Sequence, residues 1–159
     1  MTAAVASLVV VTFTFRCLWL WQPPRQVLLH QAHLRDAVER RDWGKIESML
    51  DPAYSDRWGY TRSTGVRDGR RWLGQFFALT INVEPVAFQC AGGAATVTER
   101  WKMDGTGTEM ASLVEQRVNT LHSPFVFQWK HRSWKPWDWT LIRIDNSDLD
   151  LPAPEANPF

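Results

Sequence analysis

Residues 2–21 form an apolar run interrupted by a single charge, Arg16. From Gln26 onward the apolar positions recur at helical spacing. Val27, His30, Leu34, Ala37 and Val38 share one face, while Arg35, Asp36, Glu39 and Arg40 lie mostly elsewhere. "RDWGKIESMLDP" then predicts a break and a short second helix, with Trp43, Ile46 and Leu50 inward and Pro52 as its stop. "AYSDRWGYTRSTGV" is polar, aromatic and loop-like. "RDGRRWLGQFFALT" predicts a third helix carrying Trp72, Leu73, Phe76 and Phe77. After Ile81 the period becomes two: "INVEPVAFQCAGG" reads as a strand ending in a Gly-Gly turn, and "AATVTERWKM" as a second strand closed by a turn at "DGTG". Met110, Leu113, Val114, Arg117, Val118 and Leu121 return to helical spacing and predict a short inserted helix. "FVFQWKHRSW" and "WDWTLIRID" complete the strands, with Pro136 at the turn between them. The acidic, proline-bearing tail "SDLDLPAPEANPF" reads as disordered.

This order of elements resembles the nuclear transport factor 2-like superfamily, and within it the SnoaL-like proteins. The residues that carry the resemblance are "LRDAVERRDWGKIESMLDPAYSDRW", "RDGRRWLGQFFALT" and the strands ending "WDWTLIRID", covering about residues 26–146. The resemblance implies an α+β fold in which three N-terminal helices pack on a strongly curved antiparallel sheet, forming a cone with a pocket. On this reading residues 1–24 are a transmembrane anchor, 25–146 the cone and 147–159 the tail. The resemblance also implies a homodimer formed through the sheets. It does not select an activity, because isomerases, dehydratases, cyclases and non-catalytic binding modules share the fold.

The apolar run has the length of a membrane span, for which about 20 residues suffice. Arg16 would cost roughly 2.5–3.5 kcal/mol at the bilayer centre, but it stands nearer the C-terminal end, where its stem can snorkel. Trp19 and Trp21 occupy the place of an interfacial aromatic belt. A cleaved signal peptide fits less well, since no Lys or Arg precedes the run and "RCLWLWQPP" lacks a small-residue cleavage site. A single-pass membrane protein is therefore expected. Arg16 and Arg25 favour a cytoplasmic domain, whereas analogy with short bacterial signal anchors favours the extracytoplasmic side.

Charge narrows the partners. A formal net charge of +1 over 159 residues argues against a nucleic-acid partner, which requires a basic surface excess. Ten tryptophans point instead to a large aromatic core or cavity, and hence to an apolar small molecule. Trp134, Trp137 and Trp139 crowd around Pro136, which fits a packed hairpin, a stacking platform for a sugar, or a membrane-interface belt. No Walker loop, paired C-x-x-C, H-E-x-x-H or G-x-S-x-G occurs, and no cofactor is implied. His30 and His33 are three apart, but no further Cys or carboxylate beyond Asp36 completes a ligand set, so no metal site is expected. Cys90 reads as a small buried hydrophobe.

Strand alternation supplies the candidate chemistry. Over 95–103 and 125–131 the odd positions are apolar except at Glu99 and His131. A register pairing Met103 with Phe125 would set these two diagonally opposite, about 7–8 Å apart, where a Glu/His pair can do acid–base work. Trp101, Phe127 and Trp129 would then wall the cavity, with Tyr54, Asp56 and Tyr60 as further polar groups near it. With no stronger catalytic constellation in the chain, the expected function is small-molecule binding in a membrane-anchored accessory module. A small lyase or isomerase using Glu99 and His131, and a sugar-binding module using exposed Trp134 and Trp137, are the alternatives.

Overall fold

The computed structural model describes residues 22–153. The element order is α1 (Pro23–Arg40), α2 (Trp43–Met49), α3 (Arg62–Leu73), β1 (Phe76–Ala91), β2 (Ala94–Gly107), α4 (Glu109–Asn119), β3 (Phe125–His131) and β4 (Trp139–Asp145). The strands form one antiparallel sheet in the order β1-β2-β3-β4, and the helices lie on its apolar face. Among the described residues no helix is long and apolar enough to cross a membrane. The anchor predicted over 2–21 lies outside those residues.

Local chemistry sets the helix boundaries. Prolines open α1, where their missing N–H groups would have no partner anyway. Arg41 ends α1 in the left-handed region (φ 56°), and the Arg41 and Asp42 N–H groups close back onto the Val38 and Ala37 carbonyls. Asp42 then caps α2 by accepting from the Lys45 N–H at 3.0 Å. Thr61 and Thr64 cap α3 reciprocally, so this helix starts at Arg62, inside the segment expected to be loop. It stops at Leu73. Phe76 and Phe77, expected on the helix, instead begin β1, one buried and the other 73% exposed, as alternation on a strand requires.

The "DGTG" segment is not a turn. β2 continues through it to Gly107 against Phe76, and its glycines serve close approach. A Cβ on Gly107 would stand 2.4 Å from the Gln75 carbonyl oxygen and 2.6 Å from the Ala111 Cβ. β3 pairs only with residues 94–99 of β2, leaving the rest of β2 without a strand on that side. Asn119, at the end of α4, fills part of the gap: its side chain accepts from the Met103 N–H (2.8 Å) and donates to the Met103 carbonyl (2.7 Å).

Both sheet edges are guarded. On β1, the Glu39 carboxylate accepts from the Ile81 N–H at 2.7 Å, and Pro85 stands at a bulge. On β4, the chain after α2 lies alongside, with the Asp51 N–H donating to the Leu141 carbonyl. A second bulge places Ile142 between the Gln128–Arg143 and Trp129–Leu141 pairs. The parity of β4 switches there, so that Ile144 joins Leu141 on the inner face rather than opposing it. The described part of the tail, 147–153, is tied to the domain. Asn146, 1% exposed, turns the corner by accepting from the Asp148 and Leu149 N–H groups.

Candidate functional site

Between the helices and one end of the sheet lies a cavity of about 580 Å³. Its floor is aromatic. Trp101 of β2 stacks on Phe127 of β3 at 5.1 Å between ring centres, with Phe125 5.8 Å from Trp101. Leu34 and Val38 of α1, Val66 of α3 and Val118 of α4 supply walls, and Met110 and Leu113 mark an exposed rim. Leu149 and Leu151 close over the mouth. Two side chains clamp that closing segment: Trp58 Nε1 donates to the Leu149 carbonyl and Tyr60 Oη to the Pro152 carbonyl, each at 2.8 Å.

Polar groups are concentrated in the loop between α2 and α3. Asp56, 9% exposed, accepts at Oδ1 from the Tyr60 N–H (2.8 Å) and the Trp58 N–H (3.0 Å). Its Oδ2 accepts from the Tyr54 hydroxyl at 3.4 Å, a long contact. Gly59, at φ 86°, permits the tight return of the loop. Burial pushes the Asp56 carboxyl above its usual range, opposed by the two backbone N–H groups and the Tyr54 hydroxyl. The Tyr54 hydroxyl is held well above its usual range, first by burial and then by the neighbouring Asp56 charge.

Five of the residues expected from sequence line this cavity: Tyr54, Asp56, Tyr60, Trp101 and Phe127. Three do not. Trp129 is fully buried beneath α1, where its Nε1 donates to Gln31 Oε1 at 3.0 Å. Glu99 is sealed beside it: its Oε2 accepts from Gln31 Nε2 at 2.8 Å and from Trp101 Nε1 at 2.9 Å. His131 is not near Glu99. The observed register pairs Phe125 with Glu99, not with Met103, so His131 lies at the far end of β3, roughly 20 Å away at about 3.3 Å per residue. There His131 Nε2 meets the Lys135 carbonyl at 2.7 Å and its ring packs against Trp139 at 4.9 Å. Glu99 is thus a positioning group for the wall residue Trp101. Among the described residues no cluster of three or more His, Cys, Asp or Glu side chains has the geometry of a metal site.

Sequence reasoning missed the walls from α3 and α4 and the cover from 149–152. A signal existed for both. The α4 stripe Met110, Leu113, Val114 and Val118 is apolar with no evident partner in its own hairpin, and Leu149, Leu151 and Pro152 interrupt an otherwise acidic tail.

This arrangement, a four-stranded meander roofed by helices around an aromatic-floored cavity, recurs in solved structures. A Cytophaga hutchinsonii protein described as NTF2-like superposes with a TM-score of 0.52 at 17% identity, over 76% of this chain and 93% of that one. The chain has the nuclear transport factor 2-like fold. A Streptomyces avermitilis protein described as a candidate dehydratase of the NTF2-like family matches with a TM-score of 0.54 at 17% identity, over 76% of this chain and 91% of that one. A Bdellovibrio bacteriovorus protein, Bd1075, matches at 0.56 and 12% identity, over 83% of this chain, which spans only 41% of that protein. No family model and no curated protein matches the sequence. The likeness is therefore one of fold.

Proposed function

We propose that this nuclear transport factor 2-like domain is a membrane-tethered module that binds an apolar small molecule in its cavity. The observation that carries the reading is the cavity itself. Its volume, about 580 Å³, falls within the roughly 300–1,000 Å³ of small-molecule sites, and its lining is mostly apolar, with Tyr54, Asp56 and Tyr60 from the α2–α3 loop and Asp68, Arg117 and Asp150 from other elements. A ligand would gain from desolvation against Trp101 and Phe127 and would be oriented by a polar group directed at Tyr54 or Asp56. The tether is the apolar run over 2–21. Pairing of two copies through their sheets is part of the same reading.

A catalytic version has one observation in its favour: Asp56 is a carboxyl in the cavity wall whose proton affinity is raised by burial. The Streptomyces neighbour's description as a candidate dehydratase agrees with it. Asp56, rather than Glu99 with His131, is then the group to test as acid or base.

Organic extraction of the purified full chain, followed by mass spectrometry, tests the binding reading. Wild type should yield a bound apolar compound that Val118→Trp, which fills the cavity from its α4 wall, does not retain. Recovery of the same compounds in equal amount from both proteins would sink the proposal. Release of the chain from membranes by alkaline carbonate would sink the tether.

A further inference from the structure

The end of the sheet away from the cavity carries an unusual surface. The β3–β4 turn, 132–138, presents Trp134 at 85% and Trp137 at 51% exposure. This is no loose loop. The Arg132 N–H donates to the Asp138 carbonyl, the Asp138 N–H to the Lys135 carbonyl, and Trp139 Nε1 to the Pro136 carbonyl. His131 holds the Lys135 carbonyl from below, and the His131 N–H ties the base of the turn to the Gly93 carbonyl of the β1–β2 turn. A braced turn that leaves an indole in water forgoes burial of about 150–250 Å² of ring surface. Such a ring is placed to meet something outside the domain.

Two observations identify the partner. First, the turn stands where the chain enters the domain. Its Trp137 backbone meets the ring of His30, in the second turn of α1, and that helix begins at Pro23, two residues after the apolar run ends at Trp21. Leu28 and Leu29 of the same helix end are also exposed. Second, the charge around the indoles is mostly basic: Lys130, Arg132 and Lys135 are exposed here, against the partly buried Asp51 and Asp138. A sugar platform needs carboxylate or amide groups beside its rings to bond hydroxyls, whereas tryptophan flanked by Lys and Arg suits the boundary between anionic headgroups and acyl chains.

We infer that the 132–138 turn is a membrane seat, inserting Trp134 and Trp137 into the interface of an anionic bilayer while its basic neighbours meet lipid phosphates. This rests on the tether read from residues 2–21 and adds an orientation to it: the domain lies with the β3–β4 turn down and the cavity about one strand length above the surface.

The test uses the full chain in vesicles of phosphatidylcholine and phosphatidylglycerol. A benzophenone side chain replaces Trp134 in one sample and Arg57, exposed at the cavity end, in another, and lipid adducts are counted by mass spectrometry after illumination. Position 134 should give several-fold more lipid adduct than position 57, and less when the phosphatidylglycerol is omitted. Equal background adduct at both positions, in a chain that still resists alkaline carbonate, would overturn the seat and leave the tether standing. Extraction of the chain by carbonate would remove the tether and the seat together. Adduct with an added soluble oligosaccharide in place of lipid would reassign the turn to glycan binding.

Discussion

The two ends of the sheet use the same kinds of side chain to opposite effect. At the β3–β4 turn, Trp129 and Trp139 are almost completely buried, and Gln31 of α1 fits directly onto the strands between Trp129 and Glu99. The surplus aromatics, Trp134 and Trp137, face outward. At the other end Trp101, Phe125 and Phe127 face a void. The difference lies in what stands opposite. The first half of α1 lies directly on the packed end, while at the other end Leu34 and Val38 of α1 share the lining with α3, α4 and the 149–152 segment, which together enclose a space. Aromatic content therefore says little about a pocket. The elements opposing the rings determine whether they form a core or a floor.

The sharpest way to break this contrast is at its boundary, Glu99. Glu99→Ala leaves Gln31 Nε2 and Trp101 Nε1 without their acceptor in a dry site. At about 1–3 kcal/mol per orphaned buried donor, a loss of roughly 3 kcal/mol is expected in urea unfolding of the full chain in micelles. A loss below about 1 kcal/mol would mean that water already reaches the network. Next comes the seam where β2 passes α4. Gly107→Ala meets a backbone oxygen that cannot retreat, and about 2 kcal/mol should be lost in the same assay.

His30 distinguishes the packed end through pH. Burial lowers its pKa below the ordinary 6.5, offset in part by the Gln26 carbonyl at 2.8 Å. Below pH 6.5 the unfolded chain takes up a proton that the folded chain resists, so stability should fall as pH drops through this range and be unaffected by His30 above it. His30→Phe retains the edge contact with Trp129 and should flatten that slope, as read from melting temperatures across the acid range. The smallest effect is expected at the turn. Trp134→Ala should change stability by less than about 0.5 kcal/mol, because the ring is already in water, while reducing the lipid contact of the turn.

The order of elements was legible in the chain, because the period shifts at Met110 and Phe125 are sharp, but the change read at Ile81 comes at Phe76, where β1 begins. The register was not. β2 extends well past the end of β3, and nothing in "AATVTERWKMDGTG" marks where its partner changes from a strand to Asn119. That one displacement separated Glu99 from His131. The start of α3 was hidden because its first turn is polar and held by Thr–Thr capping rather than by an apolar stripe, with Val66 its one fully buried side chain. Tyr54, Asp56, Trp101 and Phe127 could be placed at the cavity from sequence because they depend on strand parity and loop position, not on register.

The extra residue Ile142 has a consequence for descent. It stands outside the ladder, so Leu141, Arg143 and Ile144 face Trp129, Gln128 and Phe127 in the alternation of an unbroken strand. Deleting Ile142 would leave Arg143 outward and Ile144 inward, so loss of one codon at the bulge keeps the facing that loss of a neighbouring paired residue would reverse. A relative lacking that residue can keep the same cavity with the arginine and the isoleucine unchanged. Sequences compared across this point align by which way their side chains face, not by counting along the chain.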